Sequence, residues 1–239
     1  MNSSEALSGK IALVTGGNRG IGLELCRQLL ERGATVLMTA RTQSKGEDAA
    51  QCLQAKHEQL FVYSLDVCDD QQAIILADLI QKKFKRIDIL INNAGVALDK
   101  FVPSSQLDLS ILRQTLETNV MGVFKTTQAL LPLLKASGDA RVVNVSSQLG
   151  SLSKMTGSTL AYRMSKTALN AMTRVWATEL EADGILVNSV CPGWVRTELG
   201  GQEAPISPAE GAREILALAQ FSSARITGTF YRDGVEHPW

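Results

Sequence analysis

The sequence has no uninterrupted apolar run approaching the roughly 20 residues that a bilayer-spanning helix needs. A membrane-embedded protein is therefore not expected. It also lacks an excess of either charge: 24 Lys and Arg stand against 24 Asp and Glu, and the isoelectric point is near 6.7. Nothing in that balance points to nucleic acid or an anionic membrane as a partner. Histidine is scarce, and His57 and His237 lie far apart. Cys26, Cys52, Cys68 and Cys191 show no metal-type spacing. No metal is expected, and the cysteines read as buried free thiols of a cytoplasmic protein. The polar start, Met1 to Ser8, lacks the basic-then-apolar order of a secretory signal. Linkers, repeats and low-complexity stretches are missing too, so residues 1–239 are expected to form a single domain. The 45% hydrophobic and 20% charged content is that of an ordinary globular protein.

What is present begins with Lys10 to Thr15, an apolar run of strand formers that passes into Gly16-Gly17-Asn18-Arg19-Gly20-Ile21-Gly22. A stripe of Ile21, Leu25, Leu29 and Leu30 then predicts a helix stopped by Gly33. Strand, glycine-rich turn and helix form the context of a dinucleotide fingerprint. The glycines admit a tight turn and a close approach of backbone to phosphate, while the helix N-terminus offers free N–H groups.

Strand and helix signals alternate from there on. Strands are expected at Thr35–Thr39, Leu60–Leu65, Ile87–Ile91, Arg141–Ser146, Leu186–Val190 and Gly228–Tyr231. Ser44 to Glu47 and Asp69 to Gln72 have the spacing of helix-capping boxes. A long helix is expected from about Ser105 to Leu134, kinked or ended by Pro132, with others at Ala161–Glu181 and Pro208–Gln220. Alternation of this kind with nearly all-apolar strands predicts an α/β fold, a doubly wound parallel sheet with helices on both faces. Ligands of such sheets bind beyond the strand C-terminal ends. The glycine turn, Asp66, Asn92 to Gly95, Ser146-Ser147 and Pro192-Gly193 all fall there.

In Tyr162-Arg163-Met164-Ser165-Lys166 a phenol and an ammonium lie four residues apart on a predicted helix, hence on one face. A nearby cation favours the phenolate and is expected to lower the tyrosine pKa from about 10 toward a range useful for acid–base work.

These stretches, with Asp66-Val67, Asn119-Val120 and Val145-Ser146-Ser147, stand in the order of the short-chain dehydrogenase/reductase family, which the chain resembles along almost its whole length. Within that family it looks most like the NADPH-dependent carbonyl reductases. The resemblance implies reversible reduction of a ketone or aldehyde to an alcohol. Tyr162 would be proton donor, with Lys166 lowering its pKa and holding the nicotinamide ribose. Ser147 would bond the substrate oxygen, and Asn119 would anchor a water leading from Lys166 to solvent. It also implies a cofactor lying along Gly16, Asn18, Arg19, Gly20, Ile21, Gly22, Arg41, Asp66, Val67, Asn92, Ala94, Gly95, Tyr162, Lys166, Pro192, Gly193, Val195 and Thr197. NADP(H) is the expected form. Strand two ends in Ala40, where an NAD-selective site needs an acid, and Arg41 and Arg19 suit a 2′-phosphate.

The substrate cleft is expected between segments 148–160 and 193–208. The first is slightly longer than the family's usual spacing; the second is short, which suggests an open cleft that tolerates bulky substrates. Two other readings compete. One is 3-oxoacyl-carrier-protein reductase, with Arg163, Arg174 and Arg196 as candidate docking cations; the other is a non-catalytic nucleotide-sensing or scaffold protein. A homo-oligomer, dimer or tetramer, is expected because Leu109, Leu112, Leu116, Met172, Val175 and Trp176 extend beyond one core-facing stripe.

Overall fold

The computed structural model describes residues 6–53, 58–221 and 225–239. Strand β1, Ile11–Val14, leads through the glycine turn into helix α1, Gly20–Glu31. Gly33 ends that helix as expected. At a φ of 84° it donates to Leu30 O while Ala34 donates to Leu29 O, the paired closing bonds of a left-handed C-terminal turn. Next come β2 (Thr35–Ala40), α2 (Gln43–Gln51), β3 (Leu60–Ser64), α3 (Asp70–Lys83) and β4 (Ile89–Asn92). The second half holds α4 (Leu109–Leu116), α5 (Gly122–Lys135), β5 (Ala140–Val145), α6 (Leu160–Leu180), β6 (Ile185–Val190), α7 (Pro208–Ala217), β7 (Phe230–Arg232) and β8 (Val235–Glu236).

The strands form one sheet in the order β3-β2-β1-β4-β5-β6-β7-β8, parallel except for the β7–β8 pair. Period-two alternation divides the core. Ala12 and Val14 of β1 and Ile89 and Ile91 of β4 face one layer, built on Leu25 and Leu29 of α1 and Ile215 of α7. Ile11, Leu13 and Leu90 face the other, built on Leu76 of α3, Leu130 of α5 and Leu180 of α6. The chain reverses its winding direction between β1 and β4, which opens a crevice at the strand C-terminal ends.

Four local expectations are corrected. The helix expected over Ser105–Leu134 is three pieces: a 3₁₀ turn at Ser104–Gln106, α4 capped by Asp108, and α5 after a π-helical turn at Glu117–Met121. Leu107 and Asp108 are extended, so the first turn cannot join the helix. Pro132 sits within α5, which ends one turn later. Helix α2 starts after an extended Thr42, and Ser44 lies inside its first turn instead of capping it. Asp69 does cap α3, accepting from Gln71 N and Gln72 N. Of the cysteines, Cys26 and Cys191 are buried, Cys68 is half-buried and Cys52 is exposed. Finally, β8 was not foreseen. Asp233 and Gly234, both at positive φ, make the two-residue turn that folds it back on β7.

Met1–Glu5 and His57 lie outside the described residues. Among the described residues no helix is long and apolar enough to cross a membrane. Nor does any group of three or more His, Cys, Asp and Glu among them suit a metal ion.

Candidate active site

The glycine turn is built for contact. A Cβ on Gly22 would overlap the Gly16 carbonyl, and one on Gly16 would lie 3.3 Å from Ala94 Cα. Helix α1 thus starts flush against the turn, with the segment after β4 pressed on its other side. Its N-cap, Arg19, makes no side-chain cap bond, and the first turn carries no acidic residue. The N–H groups and positive dipole end are left for an anion, which is what a pyrophosphate requires. Thr197, on the loop after β6, approaches the same turn: a Cβ on Gly20 would stand 3.1 Å from its methyl group. Asn18, Gly20 and Ile21 are partly exposed there.

Two residues of the motif stretches that are not among the expected cofactor contacts, Thr15 and Asn93, hold this arrangement. Thr15 Oγ1 accepts from the N–H groups of Asn93 and Ala94 at 2.9 and 3.0 Å. Asn93 Nδ2 donates to Thr15 O at 2.9 Å and Gly16 O at 3.2 Å. Asn92, expected to serve the cofactor, turns its side chain the other way. It donates to Thr127 Oγ1 and Asn144 Oδ1, within a buried chain that continues through Thr173 to Ser189. The strand's alternation decides this, since Asn92 follows Leu90 in parity and faces the helices.

The expected catalytic residues meet beyond β4, β5 and β6. Lys166 is buried, and its Nζ donates to Val145 O, the last residue of β5, at 2.7 Å. Ser147 follows two positions later and accepts from Leu149 N. The turn that carries it lies on α6 at Lys166, where a Cβ on Gly150 would come within 2.7 Å of the lysine's backbone. Asn119 is fully buried in the π-helical turn. Its Oδ1 accepts from Val96 N and its Nδ2 donates to Val96 O, each at 2.8 Å, and Nδ2 also reaches Ser165 Oγ at 3.0 Å. Gly95 lies beside both groups: a Cβ there would stand 3.2 Å from Asn119 Oδ1 and 3.7 Å from Lys166 Nζ.

The electrostatics differ from expectation. Burial is the largest influence on Tyr162 and pushes its phenol up to about 12, although the Ser147 hydroxyl beside it acts in the opposite direction. Burial likewise brings Lys166 down to about 8. The ammonium lies 5.6 Å from the phenol ring centroid and is bonded to Val145 O, and burial, not this cation, decides the direction of the phenol's shift. Tyr162 is held as a protonated acid at neutral pH.

Further along the crevice, Ala40 is buried at the end of β2, and Arg41 is exposed beside it. Arg19 is ion-paired with Glu198 of the loop after β6. Gly193 has a φ of 80°, and its face is closed by Ile206; Val195 is buried and pairs with Ile206 as an isolated bridge. Pro192 is buried as well. Asp66 accepts from Cys68 N, and Val67 packs on Gly122, so both side chains shape the turn before α3 and the start of α5. Of the three arginines considered for carrier docking, Arg163 is buried, donating to Ser158 O and Thr156 Oγ1. Burial withdraws it from any docking surface. Arg174 and Arg196 donate to Gly228 O and Ala204 O.

Known proteins share this architecture. The short chain dehydrogenase family model matches residues 10–205. Carbonyl reductase [NADPH] 1 of Bos taurus is 33% identical over 89% of this chain and 91% of its own. Salutaridine reductase of Papaver somniferum is 32% identical over 93% of this chain and 94% of its own. The NADPH-bound carbonyl reductase from chicken fatty liver superposes with a TM-score of 0.88 at 30% identity, covering 97% of this chain and 99% of that one.

Proposed function

The chain belongs to the short-chain dehydrogenase/reductase family of oxidoreductases, and on that premise we propose that it reduces a ketone or aldehyde to an alcohol with NADPH. The observation that carries the reading is the meeting of Tyr162, Lys166 and Ser147 beyond β5, beside a glycine turn whose helix N-terminus has no side-chain cap. Bound there, the nicotinamide supplies the hydride. The chain's own work is to steady and protonate the oxygen that becomes an alkoxide. Ser147 donates to that oxygen. Tyr162, protonated at neutral pH with its pKa near 12, donates the proton. Lys166 holds the ribose and, while cationic, favours the phenolate left behind. Asn119 fixes Gly95 and Val96 at the floor of the site and anchors the water leading out from Lys166. Tyr162→Phe tests the assignment: kcat should fall by orders of magnitude with NADPH binding nearly intact, and near-native ketone reduction would reject it.

Three observations support NADPH over NADH. Ala40 offers no carboxylate to the ribose hydroxyls, Arg41 is exposed beside it, and relatives named for NADPH share the fold. Arg19 is the second phosphate ligand, once it exchanges Glu198 for the phosphate. The remaining cofactor contacts follow the turn at Gly16, Gly20 and Gly22, Asp66 and Val67, the backbone of Asn92 to Gly95, and Pro192 to Thr197.

The substrate is bulky and apolar in this reading. Exposed Leu98, Phe101, Leu152, Met155, Trp194 and Leu199 stand on the three loops that border the cleft, segments 148–160 and 193–208 included. The assembly is a homo-oligomer. Leu109 and Val175 are more than half exposed, Met121, Phe124 and Met164 more than a third, and a groove of about 280 Å³ lies between α5 and α6 at Phe124 and Trp176. The four free cysteines accord with a reducing, cytoplasmic setting.

A further inference from the structure

Asp99 lies on the loop after β4 and is completely buried. A buried carboxylate needs strong partners. Here they are the N–H groups of Ala161, at 2.6 Å, and of Tyr162 itself, at 3.3 Å. These are first-turn amides of α6, a helix of 21 residues. That helix provides for its own start poorly. Its N-cap, Thr159, is in the left-handed region at φ 56° with no side-chain cap bond, and its first turn holds no acid. Thr159 is engaged elsewhere: its Oγ1 accepts from Phe101 N and its N–H donates to Val102 O, both at 3.2 Å. Four hydrogen bonds therefore tie residues 99–102 to residues 159–162.

The carbonyl side of Tyr162 is held from the same quarter. Ser165 Oγ donates to Tyr162 O at 2.7 Å and accepts from Asn119, which also clamps Val96. Val96 lies three residues before Asp99. The tyrosine's amide and carbonyl are thus both referred to the segment after β4, the one that packs against the glycine turn through Ala94.

We propose that Asp99 is a positioning residue for Tyr162: it caps the helix that bears the phenol from a separate segment, and so sets the phenol's place relative to the cofactor cradle. The charge-assisted bonds and the helix dipole act together, because the carboxylate sits at the positive end of α6. This rests on Tyr162 being the proton donor, which Tyr162→Phe tests independently.

The experiment compares Asp99→Ala and Asp99→Asn in the full chain, reading ketone-reduction kcat, NADPH dissociation constant, thermal midpoint and solvent deuterium isotope effect on kcat. Misplacing a reacting group by the order of 1 Å lowers rates by up to about 100-fold. Asp99→Ala should lower kcat by about 10- to 100-fold and leave NADPH affinity within roughly twofold. Its isotope effect should rise as proton transfer becomes limiting. Asp99→Asn keeps one acceptor oxygen and should fall between wild type and alanine. Native kcat in either variant overturns the proposal, as does a fall in kcat matched by an equal loss of NADPH binding. If the alanine variant does not fold, the asparagine variant decides alone by the same split.

Discussion

Alanine at Gly22 would place a Cβ 2.9 Å from the carbonyl carbon of Gly16 and 2.7 Å from Asn93 Nδ2. Ordinary contact begins at 3.4 Å, so the separations must grow by 3.4 − 2.9 = 0.5 Å and 3.4 − 2.7 = 0.7 Å at least. Neither neighbour is free to yield. Gly16 is backbone at a φ of 63°, and Asn93 is pinned by two bonds to Thr15 O and Gly16 O. The start of α1 must therefore move off the turn. Overpacking of this kind destabilises by about 1–3 kcal/mol. Displaced N–H groups also lose their aim at a bound phosphate, and one charge-assisted bond is worth about 1.5–3 kcal/mol, or roughly 10- to 100-fold in affinity. Fluorescence titration of NADPH, with a thermal melt on the same sample, reads both effects. Gly157→Ala, where a Cβ meets nothing within 4 Å, serves as control. NADPH affinity at Gly22→Ala within about twofold of wild type would refute the cradle reading.

Arg41→Ala should raise the KM for NADPH by roughly 10- to 100-fold and barely alter that for NADH; equal effects on the two would remove Arg41 from the phosphate. The pH dependence follows from burial. Tyr162, near 12, stays protonated throughout the neutral range, whereas Lys166, near 8, is cationic below that value and neutral above it. Ketone reduction should accordingly be level below about pH 8 and decline above it, and a rate still level beyond about pH 9 would contradict the role of Lys166. Light scattering at micromolar concentration should give a multiple of the 25.8 kDa chain, about fourfold for a tetramer, and a mass equal to one chain would reject the oligomer.

Local pattern was enough for much of this molecule. The near-continuous apolar strands announced a sheet covered on both faces, because only burial on both sides tolerates such runs. The glycine turn, Gly33 at the end of α1, the Asp69 cap and the shared face of Tyr162 and Lys166 were legible because each depends on residues within about one helical turn. The Asp-Gly turn before β8 is equally local, but the strands that it joins are too short to show a pattern. Other features answer to groups distant in sequence. The π-helical turn after α4 carries Asn119, which reaches back to Val96, and the side chain of Asn92 joins a polar chain through Asn144, Thr173 and Ser189. Asp99, 62 residues before the first amide that it caps, carries no mark in the sequence of that role. The state of the phenol likewise depends on distant groups. Spacing shows that an ammonium is near, but desolvation is set by everything packed around both groups, and here it outweighs the neighbouring cation. Sequence fixes what the chain can form with its near neighbours; the field and the positions within the site come from segments that meet only when the sheet is assembled.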